Sequence, residues 1–118
     1  MRALLVEDEA LVALIAEEIL SSLGFEVEVA ATGEEALKSA LRATPDLAVI
    51  DMGLPDIEGD VLAAKVRDAA PVTAILIATG YEPASVREKL LGLSRVEILT
   101  KPYTDTDLSA AIGRLGLG

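Results

Sequence analysis

Short apolar runs alternate along the chain with longer stretches whose apolar residues recur at helical spacing, and five of each can be counted. Ala3-Leu4-Leu5-Val6 reads as a strand. The segment Glu9 to Leu23 follows, with Leu11, Leu14, Ile15, Ile19 and Leu23 at helical intervals, and these predict an apolar stripe facing the core. Gly24 supplies a stop, since glycine accepts the left-handed backbone that ends many helices. Phe25 to Ala30 alternates as a second strand. Thr32-Gly33-Glu34-Glu35 then has the form of a capping box and opens a helix to about Arg42, beyond which Pro45 prevents continuation. Leu47-Ala48-Val49-Ile50 is apolar without alternation, as expected of a strand covered on both faces, and it ends at Asp51. A third helix is predicted over Gly59 to Ala69 and a fourth strand over Ala74 to Ala78. Ser85-Val86-Arg87-Glu88 offers a capping box for a short fourth helix. Val96 to Leu99 is the fifth strand, Thr104 can cap a last helix, and Leu108, Ile112 and Leu115 give that helix one apolar stripe.

Five strand-helix units predict an α/β fold, a doubly wound five-stranded parallel sheet with helices on both faces, because right-handed crossovers between parallel strands leave few other arrangements. At 118 residues the chain is expected to form one domain over residues 1–118. Aromatic residues make up only 3% of it, so the core must be built of aliphatic side chains. No run is long enough to span a membrane, no signal peptide precedes the first strand, and a cytoplasmic location is expected. Cysteine and histidine are both absent, so any metal must be held by oxygen. The net charge of −10 argues against nucleic acid as a partner.

In doubly wound sheets the ligand site lies at the carboxyl ends of the strands, where strand order reverses. Those positions carry Glu7 and Asp8, Asp51, Thr79 and Lys101. With the first and third strands as neighbours, three carboxylates would crowd one rim and repel unless a cation intervened. Mg²⁺ fits that need, because it takes oxygen ligands, keeps waters and is completed by phosphate oxygens. Each residue also has an ordinary explanation. Acids before a helix are favoured by its dipole, Asp51 and Thr79 can serve turns, and an isolated lysine is usually a solvated charge. Their joint placement is what raises them above that background.

Val6-Glu7-Asp8-Glu9, Val49-Ile50-Asp51-Met52-Gly53-Leu54-Pro55, Ala78-Thr79-Gly80 and Thr100-Lys101-Pro102 resemble, in order and spacing, the motifs of bacterial two-component response-regulator receiver domains. The resemblance covers essentially the whole chain. It implies a flavodoxin-like strand order 2-1-3-4-5. It further implies Mg²⁺-dependent phosphoryl transfer from the phosphohistidine of a histidine kinase, or of a histidine phosphotransfer protein, to Asp51. Asp8 would be a direct metal ligand, Glu7 an outer one acting partly through water, and Asp51 and the Gly53 backbone carbonyl would complete the protein's share. Lys101 and the Thr79 hydroxyl would each bond a phosphoryl oxygen, and movement of Thr79 would be the switch. Such a protein is not an enzyme in the ordinary sense, since it catalyses only its own aspartyl phosphorylation and dephosphorylation.

The chain departs from many relatives at Ile98, where an aromatic side chain would follow the threonine, and Tyr81 and Tyr103 are the only tyrosines left to substitute. Ala78-Thr79-Gly80-Tyr81 and Lys101-Pro102-Tyr103 are similar to an alphaproteobacterial subgroup of stand-alone receivers. Because the sequence ends at Gly118, soon after the fifth helix, output is expected through a partner surface made of helix four, strand five and helix five, with the chain a monomer or a phosphorylation-dependent dimer. Val86, Leu90, Leu91 and Leu93 are more apolar residues than that short helix can bury, and about two of the four are expected in the core. The alternatives are a receiver-like interaction module that works without phosphorylation, a receiver belonging to a hybrid kinase, a flavin or nucleotide carrier, and a hydrolase with paired carboxylates. A carrier would need a glycine-rich phosphate loop where Glu7-Asp8-Glu9 stands, and a rim this small suggests no substrate cleft.

Overall fold

A computed structural model describes residues 1–80 and 83–117. Ten elements alternate: β1 (Arg2–Val6), α1 (Ala10–Ser22), β2 (Glu26–Ala30), α2 (Gly33–Arg42), β3 (Leu47–Asp51), α3 (Gly59–Ala69), β4 (Ala74–Thr79), α4 (Pro83–Lys89), β5 (Val96–Thr100) and α5 (Asp105–Arg114). All pairings are parallel and the strand order is β2-β1-β3-β4-β5. The chain therefore winds outward from β1 in both directions, and the reversal falls between β1 and β3. The two faces of the sheet can be read from residue parity along the strands. Leu4, Val6, Ala48, Ile50, Ile75 and Ile77 pack under α2, α3 and α4. Their neighbours Ala3, Leu5, Leu47, Val49, Ala74 and Leu76 pack under α1 and α5.

Side-chain caps set the starts of α2 and α5. The Thr32 hydroxyl accepts the Glu35 N–H at 3.1 Å, while the Glu35 carboxylate reaches back to the Ala31 N–H at 2.9 Å, one residue beyond the expected box. Thr104 and Asp107 form the complete reciprocal box at α5, whose Leu108, Ile112 and Leu115 are buried as the spacing predicts. Gly24 has φ +97°, consistent with its stop role. Two expectations fail. Ser85 does not cap α4, because the helix already begins at Pro83, a residue whose fixed φ suits a first turn. The predicted stripe of α1 is turned the wrong way: Leu11 is 70% exposed, Ile15 54%, and Leu14 and Leu23 are exposed too, while Ala13, Ala16 and Leu20 face the sheet and Ile19 is half-buried. The small alanines let the helix lie close to the strands, which leaves the larger side chains outside. On α4, Val86 and Leu90 are buried, Leu93 is partly so, and Leu91 is exposed.

Candidate functional site

The reversal point brings together the ends of β1 and β3, and parallel register aligns Val6 with Ile50, so the residues just beyond them share one rim. Carboxylate oxygens of Glu7, Asp8 and Asp51 lie within 4.8 Å of one another. Glu7 is buried at 6% exposure. One of its oxygens takes the Lys101 ammonium at 3.1 Å and the other takes the Glu9 N–H at 3.2 Å. Asp51 bonds the same ammonium at 2.7 Å, and Asp8 is exposed. Lys101 thus spans two acids from strands on opposite sides of the reversal. Thr79 is buried at the end of β4, in register with Thr100, and its carbonyl accepts the Lys101 N–H at 2.7 Å. Gly53 lies beside the Asp51 carboxylate, 3.7 Å from Oδ2 measured from where a Cβ would stand.

Burial pushes the Glu7 carboxyl above its ordinary value and the Asp51 charge adds to this, against hydrogen bonds from Glu9 and Lys101 that pull it down. Burial alone would lower Lys101, yet the bonds and charges of Asp51 and Glu7 outweigh it and hold the ammonium above its ordinary value. Among the described residues, the Lys101 ammonium is the cation bonded to this cluster of three acids. The donors are all hard oxygens, gathered closely and partly open to solvent, which fits Mg²⁺ rather than a metal that prefers nitrogen or sulfur. Around this site the Lys101–Pro102 peptide is cis.

The remaining residues of interest divide between the two faces of the sheet. Ile98 packs with the α4 side, whereas Tyr103 packs with the α1 and α5 side, where burial pushes its hydroxyl up. Tyr81 lies outside the described residues. A groove of about 470 Å³ runs beside the acids, lined by Val12, Ile15 and Ile19 of α1 and by Lys101, Pro102 and Tyr103. Residues that the strand-end rule does not reach also shape the rim. Both oxygens of Asp56 bond the first turn of α2, at Gly33 (2.9 Å) and Glu34 (3.1 Å). A Cβ on Gly59 would stand 2.7 Å from the Asp51 carbonyl oxygen, so glycine is needed where α3 starts beneath the end of β3. Asp56 follows a proline and reads in sequence as a turn residue, and nothing local points to its partners 23 and 22 positions upstream.

Residues 3–113 match the family described as the response regulator receiver domain. The chain belongs to that family. The receiver is similar to the transcriptional regulatory protein TrcR of Mycobacterium tuberculosis, with 32% identity over 95% of this chain and 44% of TrcR. Among solved structures it is similar to a CheY-like receiver domain protein of Methanospirillum hungatei, with TM-score 0.89, 31% identity, and coverage of 98% of this chain and 93% of that one. It is also similar to a Burkholderia pseudomallei response regulator solved with a phosphorylated aspartic acid, calcium ion and citrate, with TM-score 0.83, 26% identity, and coverage of 93% and 65%. The receiver spans about half the length of the curated relatives it matches. Among the described residues no helix is long and apolar enough to cross a membrane.

Proposed function

We propose that the receiver accepts a phosphoryl group on Asp51 from the phosphohistidine of a histidine kinase or histidine phosphotransfer protein, in the presence of Mg²⁺, and thereby changes a partner-binding surface. The observation that carries this is the Lys101 ammonium held between Asp51 and Glu7 on the rim where Asp8 also lies. An Asp51 oxygen attacks phosphorus, the phosphorus–nitrogen bond breaks, and its electron pair leaves with the imidazole, giving a mixed anhydride. The transferring group spreads its charge over three oxygens, so alignment and neutralisation are the main requirements. Asp8, Asp51, the Gly53 carbonyl and, through water, Glu7 would hold Mg²⁺, which supplies the positive charge facing those oxygens. Lys101 holds the Asp51 carboxylate in place through their 2.7 Å contact and can exchange it for a phosphoryl oxygen. Thr79 stands at the end of the next strand, where its hydroxyl is placed to follow such a change.

The phosphodonor needs ground to stand on beside Asp51, and the exposed apolar face of α1 provides it. Leu11, Leu14 and Ile15 are exposed on α1, and Ile15 lines the groove that ends at Lys101 and Tyr103. A helical protein carrying the histidine fits this surface, with its own apolar side chains over α1 and basic ones against Glu9 and Glu17. The receiver likeness favours a cytoplasmic signalling protein that acts only on itself, with no substrate turned over. Incubation with acetyl phosphate and Mg²⁺ tests the acceptor: intact mass should rise by one phosphoryl group, and Asp51→Ala should stay unlabelled. Equal labelling of the variant would reject Asp51. A chain that no phosphodonor labels while it still binds partners would instead favour the phosphorylation-independent module.

A further inference from the structure

The seven-residue loop 52–58 joins the acceptor strand to α3 and carries Gly53, the only backbone donor in the proposed metal site. Several contacts hold this loop to itself and to the sheet: Met52 N–H donates to Ala78, Gly59 N–H donates to Met52, and Gly53 bridges Glu58. Two side chains extend outward from it. Glu58 meets Lys89 of α4 at 3.4 Å with both ends solvated, an ion pair of the kind that contributes little. Asp56 is different, because its two oxygens take two successive backbone N–H groups of α2, in charge-assisted bonds that fix both position and direction. Ile57 reinforces the contact: a Cβ on Gly33 would overlap its Cγ2, so only glycine lets the loop dock this closely on α2.

The place where Asp56 attaches is also tied to the acids. The Ala30 carbonyl, at the end of β2 and three residues before Gly33, accepts the Glu7 N–H at 3.0 Å. The carbonyl-bearing loop and the acidic pair are thus anchored to the same turn. From this geometry we infer that Asp56 is a positioning residue for Mg²⁺, setting the Gly53 carbonyl at its working distance from Asp8 and Asp51 through the first turn of α2; this rests on the Mg²⁺-dependent receiver function proposed above. Helix capping alone is a separate role, and Thr32 provides the comparison, since its hydroxyl caps the same helix by accepting the Glu35 N–H.

Isothermal titration with MgCl₂ on the whole chain separates the two roles. Asp56→Ala should weaken Mg²⁺ binding roughly tenfold, the scale usual for residues that orient metal ligands. Thr32→Ala should lower Tm and leave Mg²⁺ affinity at the wild-type value. Asp56→Asn, which keeps one acceptor oxygen, should fall between wild type and Asp56→Ala. Labelling by acetyl phosphate should be slow in Asp56→Ala at low Mg²⁺ and recover at saturating Mg²⁺. Wild-type affinity in Asp56→Ala, or equal losses in Asp56→Ala and Thr32→Ala, would overturn the positioning role. If Asp56→Ala does not fold, wild-type affinity in Asp56→Asn overturns it in the same way. A wild-type chain that binds no Mg²⁺ at all would overturn the receiver function as well, and this is seen before any variant is made.

Discussion

Glu7 is more deeply buried than either of its acidic neighbours, and its carboxyl is held above the ordinary value by that burial and by Asp51. An acid whose value is raised by folding costs stability at every pH above the raised value, and the cost disappears as pH falls below the ordinary 4.5. In EDTA at neutral pH, Glu7→Gln should therefore melt at a higher temperature than wild type, and the difference should vanish in acid. The same substitution should weaken Mg²⁺ binding, and calorimetry with and without the metal reads both effects. Glu7 and Asp51 were legible in the sequence because each directly follows an apolar run, and Lys101 because it stands just past the fifth strand; the fold brings such positions to one rim. Asp56 was not, since its meaning depends on a helix more than twenty residues away.

Among the elements, helix ends with a side-chain cap were the most legible. Thr32 and Thr104 mark the starts of α2 and α5 because a cap is a contact within one turn. The orientation of α1 was not legible. Ala13, Ala16 and Leu20 alternate with Leu11, Leu14 and Ile15 around a helix that is apolar on most sides, so periodicity announces a helix without choosing its buried face. The choice comes from fit, because alanines allow close approach to the strands. Replacing Leu11 and Ile15 by serine should accordingly change stability by no more than about 0.5 kcal/mol per site, as surface changes usually do. Acetyl phosphate should label the double variant normally. Phosphotransfer from a phosphorylated histidine kinase should slow by roughly tenfold, about 1.4 kcal/mol of lost docking. Equal slowing with both donors would place the defect in the site rather than on the surface.

For the molecule as a whole, strand order was carried by resemblance and is the same in the structure, 2-1-3-4-5. That order matters energetically, because it collects three carboxylates on one rim of a chain whose net charge is already −10. A divalent ion that binds only the folded rim stabilises the entire domain by mass action, about 2.7 kcal/mol at roughly one hundred times its Kd. Thermal unfolding should thus shift upward with MgCl₂ and remain unmoved by the same ionic strength of NaCl. In Asp8→Asn the Mg²⁺ shift should shrink or disappear. A shift of equal size in that variant would mean that the ion acts on the general acidity of the surface and not at the rim.

Ile98 and Tyr103 sit five residues apart yet on opposite faces of the sheet, the first toward α4 and the second in the groove beside α1. A message carried by Tyr103 would be displayed on the surface proposed for the phosphodonor. Donor and reader would then compete for one berth, so that the kinase must depart before its own product can be noticed. Excess kinase would silence the pathway it feeds.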